Sequence, residues 1–144
     1  MSQAIRDNLK RLLAPRHLAF VGGRSMARAL KRCAEGGFAG QMWLVNPQHD
    51  SLDGIPCVRR VADLPCGPDA VFIATNRELT LTCVAELAAI GTGGAICYAS
   101  GFAETGAEGQ ALQQQLLKAA GEMALLGPNC YGLLDYLHNA ELCK

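Results

Sequence analysis

Five short apolar runs, separated by segments with helical spacing, most constrain what this chain can fold into. Unbroken apolarity over so few residues is typical of strands buried on both faces, as in a parallel sheet. The pattern predicts an α/β fold with a doubly wound parallel sheet of five strands and helices on both faces. The runs are LAFV (18–21), MWLV (42–45), AVFIAT (70–75), AICYAS (95–100) and MALLG (123–127).

The segments around these runs predict an opening helix near 3–13 and three crossover helices, since their apolar residues recur every three or four positions. Ser25 is the expected N-cap of the first crossover helix. Thr105 and Glu108 have the spacing of a capping box before the last one. Residues 46–69 hold four of the six prolines and predict an irregular connection with at most a short helix near 61–64.

Composition excludes several classes of protein. Half of the 144 residues are hydrophobic and 18% are charged, which suits one domain with a buried core. The 13 basic and 13 acidic residues form no polybasic block, so no nucleic-acid partner is expected. The apolar runs fall short of the roughly 18 residues of a membrane span, and the amino terminus lacks a signal peptide's apolar core. We therefore expect no membrane association and a cytoplasmic location.

The seven cysteines include no C-x-x-C pair, and no histidine pair stands nearby at zinc-ligand spacing. We therefore expect no metal site, and we expect most of the thiols to be small buried groups in a reducing compartment.

The stretch Val-Gly-Gly-Arg-Ser-Met joins the first predicted strand to the first crossover helix. Ligands of open α/β sheets bind beyond the carboxyl ends of the strands. Gly22 and Gly23 allow close approach to the backbone, and the amides of Arg24, Ser25 and Met26 are expected to point outward at a helix N-terminus. Such a turn favours an anion, above all a diphosphate. The alternative is a turn that only leads the strand into the helix.

A nicotinamide dinucleotide is less well matched. The third glycine of G-x-G-x-x-G is missing, and the second strand ends in Asn46 and Pro47, with no acidic residue before Asp50. A carboxylate at that strand end normally binds the ribose hydroxyls. An NAD(P)-binding protein remains an alternative.

Several motifs, taken together, resemble one family. The stretches VGG, GGFAGQMWLVNP, PDAVFIAT, YASGFAETG and LLGPNCYG occur in the family's order and at suitable spacing. They are similar to the CoA-binding domain of nucleoside-diphosphate-forming acyl-CoA synthetases, the relatives of acetate–CoA ligase and of the succinyl-CoA synthetase α-subunit. The same domain begins some protein lysine acetyltransferases. The resemblance covers about residues 10–137.

The resemblance implies a Rossmann-like domain that binds CoA or acyl-CoA through the ends of its strands. The turn at Gly22–Met26 would bind the CoA phosphates, helped by cations from among Arg24, Arg28, Lys31 and Arg32. The other binding residues it implies run from the adenosine end, along the groove, to the pantetheine thiol: Asn46 and Pro47, then Thr75, Asn76, Ser100 and Gly101, then Asn129 and Cys130.

The sequence also departs from the family pattern. The loop between the first glycines and the GGF segment is shorter. Gln48 and His49 stand where family members often carry lysine, and Thr75-Asn76-Arg77 replaces V-P-A. Arg77 is either a phosphate ligand or a solvated surface residue.

The resemblance implies the non-catalytic CoA-binding part of an acid–thiol ligase, so we assign no catalytic residue. Catalysis would need partner domains or subunits that carry a phosphohistidine and bind the nucleotide, and His17, His49 and His138 lack that context. Cys130 and Glu104 are expected to shape the groove and its loop. We assign residues 1–137 to the domain and 138–144 to a tail that has no clear final element and begins a second domain. A stand-alone regulatory CoA-binding protein is a further alternative.

Overall fold

The computed structural model of the chain describes residues 1–135 and 137–143. Tyr136 and Lys144, which fall in the predicted domain and tail, lie outside the described residues. The helices are α1 (Gln3–Leu13), α2 (Arg24–Glu35), α3 (Arg77–Ala89) and α4 (Ala107–Ala120), with 3-10 turns at Val61–Asp63 and Ala103–Thr105. The strands are β1 (His17–Val21), β2 (Gln41–Val45), β3 (Ser51–Leu52), β4 (Ile55–Val58), β5 (Ala70–Ile73), β6 (Gly94–Cys97), β7 (Ala124–Leu126), β8 (Gly132–Asp135) and β9 (Ala140–Cys143).

The main sheet of the described chain has the strand order β3-β4-β2-β1-β5-β6-β7. Every neighbouring pair is parallel except β3 and β4. All five predicted runs form strands, which confirms the doubly wound α/β fold. The chain moves outward from β1 to β2 and later returns to β5 on the other side of β1. The carboxyl ends of β1 and its two neighbours therefore flank the point where the strand order reverses, which is where such sheets bind ligands.

The main sheet has two strands, β3 and β4, in addition to the five that we predicted. Both lie within residues 46–69, so our description of this segment as irregular is wrong. A hairpin there adds β3 and β4 to the edge of the sheet, with β4 parallel to β2. Its turn is Asp53-Gly54, with φ angles of 51° and 82°. Two consecutive residues of positive φ match the twist of a hairpin, and Asp-Gly is a sequence signal for that turn. The short helix predicted near 61–64 is confirmed by the turn at Val61–Asp63.

The core has two layers because successive strand residues face opposite sides of the sheet. Val21 and Ile73 pack in the layer beneath α3 and α4. Phe20 and Phe72 pack in the layer beneath α1 and α2. The continuous apolar runs in the sequence are the consequence of this two-sided burial.

Both predicted side-chain caps are wrong. α2 begins at Arg24 with Gly23 as its N-cap and no side-chain cap hydrogen bond, so Ser25 already lies inside the helix. α4 has Gly106 as its N-cap. The Thr105 hydroxyl instead donates to the Phe102 carbonyl, 2.9 Å away, because Thr105 belongs to the preceding 3-10 turn.

The end of the described chain has more structure than we predicted. β8 and β9 form an antiparallel hairpin, and Leu142 of β9 is fully buried in the layer with α2. The Glu141 amide donates to Cys33 Sγ at 3.1 Å, and Arg32 Nη2 donates to the Cys143 carbonyl at 2.9 Å. The absence of a final element is therefore wrong, whereas the domain boundary at residue 137 stays a prediction.

A buried carboxylate joins several elements at the amino-terminal edge of the sheet. Asp69 is 2% exposed and accepts hydrogen bonds from Arg11 Nε at 2.7 Å and from the Arg16 amide at 2.9 Å. His17 Nδ1 lies 3.3 Å from its second oxygen. Burial opposes ionisation of Asp69, but these bonds and the nearby positive charge outweigh it and lower its pKa.

Candidate ligand-binding site

The turn after β1 requires glycine at its first position. Gly22 has a φ of 152°, and a Cβ there would lie 2.8 Å from Met26 Cγ and 2.9 Å from the Ala74 carbonyl oxygen. Gly23, which caps α2, has nothing within 4 Å of such a position and faces open space. The backbone of this turn is therefore accessible at the positive end of a helix dipole, as an anion site requires.

The structure corrects the role that we expected for Met26. Its side chain is fully buried, and its amide donates to the Gly23 carbonyl at 3.0 Å. Met26 therefore packs beneath the turn and presents no outward amide. Arg24 and Ser25 occupy the first two positions of α2, where backbone amides have no partner within their own helix.

Asn46 connects the end of β2 to the glycine turn. Its side chain, 9% exposed, donates from Nδ2 to the Gly22 carbonyl at 3.0 Å. Its Oδ1 accepts from the amides of Gln48 at 2.8 Å and His49 at 3.0 Å. The Gly22 carbonyl needs a donor and the two amides need an acceptor, and one side-chain amide supplies both. This explains why an amide, and not the carboxylate of a dinucleotide site, ends the second strand.

A polar cavity of about 460 Å³ lies against this turn. Arg24 stands in it with 75% of its side chain exposed, and its Nε lies 4.0 Å from Asp53 Oδ1. The predicted residues Gly23, Arg24 and Asn46 thus meet in one place. Arg32, one of the four cations from among which the phosphate ligands were expected, instead donates to the Cys143 carbonyl. The lining consists of Gly23, Arg24, Asn46, Gln48, His49, Ser51, Leu52 and Asp53.

An apolar cavity of about 220 Å³ lies beside Pro47, between the ends of β1 and β2 and helix α3. Burial raises the pKa of the Cys83 thiol to about 12, so this part of the wall carries no charge at neutral pH. The cavity offers a planar ring an apolar surface with a polar rim. The apolar lining is Val21, Val45, Pro47, Val61, Leu79 and Cys83, and the rim is Arg59, Arg60, Thr75, Thr82 and Glu86.

A third cavity of about 340 Å³ continues from Thr75 between the ends of β5 and β6. Asn76 here is the N-cap of α3, since its Oδ1 accepts from the Leu79 amide at 2.8 Å. Thr75 belongs to both the apolar and the third cavity, so the two are neighbours along the edge. The lining consists of Thr75, Asn76, Arg77, Glu78, Tyr98, Ala99 and Ser100.

The loop after β6 is held from both sides. Arg77 Nη1 donates to the Gly101 carbonyl at 2.9 Å, and the Gly101 amide donates to Glu104 Oε1 at 2.6 Å. Hydrogen bonds from backbone amides, first its own and then that of Gly101, lower the pKa of Glu104. Gly101 is thus fixed by its hydrogen bonds, and Arg77 is neither free nor simply solvated.

The Gly-Pro-Asn-Cys segment continues the hydrogen-bonding edge of β6. The Asn129 amide donates to the Ala99 carbonyl at 2.9 Å, and the Cys130 amide donates to the Cys97 carbonyl at 3.0 Å. The half-buried Cys130 places its Sγ 3.7 Å from the Gly132 carbonyl. Asn129 and Cys130 lie next to the strand end that bounds the third cavity, but they do not line it.

The cysteines differ in burial. Three of the seven are buried (Cys33, Cys83 and Cys97), three are half-buried (Cys57, Cys130 and Cys143), and Cys66 is exposed, so the expectation that most of the thiols are buried is wrong. Burial also raises the pKa of Cys97 to about 12. Among the described residues no group of three or more His, Cys, Asp and Glu side chains is placed to hold a metal ion. No helix in this part of the chain has the length and apolar character needed to cross a membrane.

Sequence reasoning missed the rim of the apolar cavity. Arg59 and Arg60 follow β4, a strand that we did not predict, so nothing assigned them to the carboxyl edge. The available signal was Asp53-Gly54, which marks the hairpin and therefore places the residues after β4 beside Asn46 and Pro47.

The doubly wound sheet, the glycine turn and the cavities along the carboxyl edge are together typical of a Rossmann-like domain. Residues 17–135 match the family model described as a CoA binding domain. The chain belongs to this family of CoA-binding domains, as the motifs in the sequence indicated.

Similar proteins include synthetases and ligases that act with CoA. The chain is 35% identical over 143 residues to a trans-feruloyl-CoA synthase of an unknown prokaryotic organism, covering 94% of this chain and 20% of the relative. It is 28% identical over 137 residues to ADP-forming acetate–CoA ligase I of Archaeoglobus fulgidus, covering 88% and 19%. The chain spans about a fifth of the length of these curated relatives.

A solved structure agrees in fold. The apo form of dinucleotide-forming acetyl-coenzyme A synthetase 1 from Ca. Korarchaeum cryptofilum superposes with a TM-score of 0.85 at 28% identity. The match covers 94% of this chain and 31% of that one. The chain therefore resembles the CoA-binding part of such synthetases.

Proposed function

We propose that this chain binds CoA or acyl-CoA along the carboxyl edge of its sheet, as the CoA-binding part of an acyl-CoA-forming ligase. The observation that carries the proposal is the succession of cavities along that edge, beginning at the Gly22-Gly23 turn. Membership of the CoA-binding family and the similarity to CoA ligases support the choice of ligand.

The three cavities correspond to the three parts of CoA. The polar cavity at Gly23 and Arg24 receives the diphosphate, where amides at a helix N-terminus and a guanidinium favour an anion. The apolar cavity beside Pro47 receives the adenine ring. The pantetheine arm, which is joined to the diphosphate, passes from Gly22 over the neighbouring Ala74 to Thr75 and follows the third cavity toward Ser100, with its thiol near Cys130.

The part of this chain in the reaction is to bind and orient CoA. In the ligase, partner domains or subunits activate the acid as an acyl phosphate. The CoA sulfur then attacks the acyl carbon, a C–S bond forms, and the C–O bond to the phosphate breaks. The thiol proton is released and inorganic phosphate leaves. We assign no covalent role to Cys130 and no catalytic role to a histidine.

Thermal unfolding with CoA, 3′-dephospho-CoA, ADP and NAD tests the proposal. A ligand present at about 100 times its dissociation constant stabilises the folded state by about 2.7 kcal/mol. For a chain of this size the melting temperature rises by roughly 5–10 °C. We expect that shift with CoA and a much smaller one with NAD. A larger shift with NAD, or none with CoA, would contradict the proposal.

A further inference from the structure

Arg59 brings a positive charge to the rim of the apolar cavity. It follows β4, whose last residue Val58 pairs with Val45 of β2. Its Nη1 donates to the Pro47 carbonyl at 2.7 Å, which fixes the guanidinium over the end of β2. Its side chain is 47% exposed, so the group lies at the opening of the cavity and is accessible to solvent.

The other partner of Arg59 is Asp50, and their ion pair is weak. Arg59 donates from Nε and Nη2 to a single oxygen of Asp50, Oδ1. The Asp50 side chain is 91% exposed. An ion pair with so exposed a carboxylate contributes little to stability, and a phosphate dianion is a stronger partner for the planar fork of a guanidinium. A phosphate group can therefore replace Asp50 while the bond to the Pro47 carbonyl remains.

Arg60 lines the same cavity in a different setting. Its Nη2 lies 3.6 Å from Glu86 Oε1, on the side of α3. Glu86 is only 33% exposed, so its carboxylate would lose a partner in a partly buried place if Arg60 moved to a ligand. The two adjacent arginines thus form a matched pair, one with an exchangeable exposed partner and one with a partly buried partner.

The proposed position of CoA places its ribose at Pro47. With the diphosphate at the glycine turn and adenine in the apolar cavity, the ribose lies over the end of β2 between them. The segment from Asn46 to His49 contains no lysine or arginine. The charge that meets a 3′-phosphate at this point therefore comes from the neighbouring strand.

We propose that Arg59 binds the 3′-phosphate of CoA, displacing Asp50, and thereby makes the site selective for CoA over nucleotides that lack this group. The inference rests on the proposed function, because it assumes that the adenosine part of CoA occupies the apolar cavity.

Titration calorimetry at fixed ionic strength, with CoA and 3′-dephospho-CoA, tests this role. The proteins are the wild type, Arg59→Gln and the matched control Arg60→Gln, each shown by thermal unfolding without ligand to be folded at the temperature of the titration. We expect Arg59→Gln to weaken CoA binding by roughly ten- to a hundredfold, the range for a hydrogen bond to a charged group, and to leave 3′-dephospho-CoA binding within about twofold. Arg60→Gln changes the affinity for both ligands by the same factor, because its side chain does not contact the 3′-phosphate, and so it keeps the preference for CoA.

The outcomes separate this inference from the proposed function. If the wild type binds neither ligand, both are overturned. If it binds both with equal affinity, or if Arg60→Gln and not Arg59→Gln removes the preference, CoA binding stands and the role of Arg59 is overturned.

Asp50→Asn gives a test of opposite sign. Removal of the competing carboxylate should tighten CoA binding without tightening the binding of 3′-dephospho-CoA. An equal gain for both ligands would contradict the replacement of Asp50 by the 3′-phosphate.

Discussion

Asn46 stabilises the glycine turn and the start of the next loop through three hydrogen bonds of its side chain. Its amide nitrogen satisfies the Gly22 carbonyl, and its oxygen satisfies the amides of Gln48 and His49. The residue at the position of the ribose-binding carboxylate of a dinucleotide site is thus an amide that bonds three backbone groups. Two exposed arginines lie near it, Arg24 beside Asp53 and Arg59 beside Asp50, and the proposed preference for CoA rests on the second.

Asn46→Asp should destabilise the chain and weaken CoA binding. The substitution removes the donor to the Gly22 carbonyl and sets a carboxylate oxygen against it, at a cost of about 1–3 kcal/mol. The added negative charge also opposes the CoA phosphates. Thermal unfolding and CoA titration measure both effects. Gln48→Glu is the control, since it adds the same charge at an exposed neighbour without changing the bond to Gly22. Equal effects of the two substitutions would mean that charge alone is responsible.

At single residues, the sequence predicted the surroundings of the site better than the contacts within it. The glycines were recognisable because only glycine fits the turn at Gly22. The role of Met26 could not be recognised in the sequence. A residue at the start of a helix can present its amide outward or pack its side chain beneath the turn, and the sequence does not distinguish the two. Asn76 is similar: it was predicted to line the groove, and it also caps α3.

The hairpin of β3 and β4 is the element that completes the site. It places Arg59 on one side of Pro47 and Asp53 opposite Arg24 on the other. Its strands are only two and four residues long and contain Pro56, so they lack the unbroken apolar character of the central strands. The apolar pattern therefore predicted the other five strands of the main sheet and missed β3 and β4. The clearest sequence signal for this hairpin is its Asp53-Gly54 turn.

The terminal strand β9 was missed for another reason. Its stability comes from packing on α2, far away in the sequence, and the pattern of a four-residue strand does not reveal such a contact. Cys33 is an internal reporter of that packing, because the Glu141 amide donates to its sulfur and burial raises its pKa.

Leu142→Ala should therefore loosen β9 from α2. Leu142 is fully buried, and truncation of a buried leucine to alanine costs about 2–5 kcal/mol. We expect a lower melting temperature and faster labelling of Cys33 by a thiol reagent, measured by mass spectrometry of the folded protein. Leu134→Ala on the paired strand is the control, since Leu134 is 46% exposed and its truncation should change the stability by about 0.5 kcal/mol or less. Labelling of Cys33 at the same rate in both variants would show that Leu142 does not hold the strand.

Across the whole molecule, the two edges of the sheet are built differently. At the amino-terminal edge, Arg11 of α1 donates to Asp69 and to the carbonyls of Gly67 and Gly91, so it connects three parts of the chain. At the carboxyl edge, short loops leave open cavities. The resemblance in the sequence predicted the open edge, because its motifs lie there. It did not predict the Asp69 network, whose members are separated by more than 50 residues along the chain.

Asp69→Asn should lower the stability of the chain without changing its affinity for CoA, and so distinguish the roles of the two edges. The substitution leaves Arg11 without its charged partner, and breaking such a buried pair costs roughly 3 kcal/mol.

Because the folded-state pKa of Asp69 is lowered, its contribution to stability is fully present above the ordinary aspartate pKa of about 3.9 and is lost as the pH falls through the lower folded value. The stability difference between wild type and variant should therefore be largest near neutral pH and shrink in acid, as urea unfolding at several pH values would measure. Asp7→Asn, which affects an exposed ion pair with Lys10 and an exposed hydrogen bond from Gln3, should change the stability little at any pH. CoA affinity should be the same in all three proteins, because the hydrogen bonds of Asp69 lie at the edge of the sheet opposite the cavities. A loss of CoA affinity in Asp69→Asn alone would contradict this and show that a change at one edge of the sheet affects binding at the other.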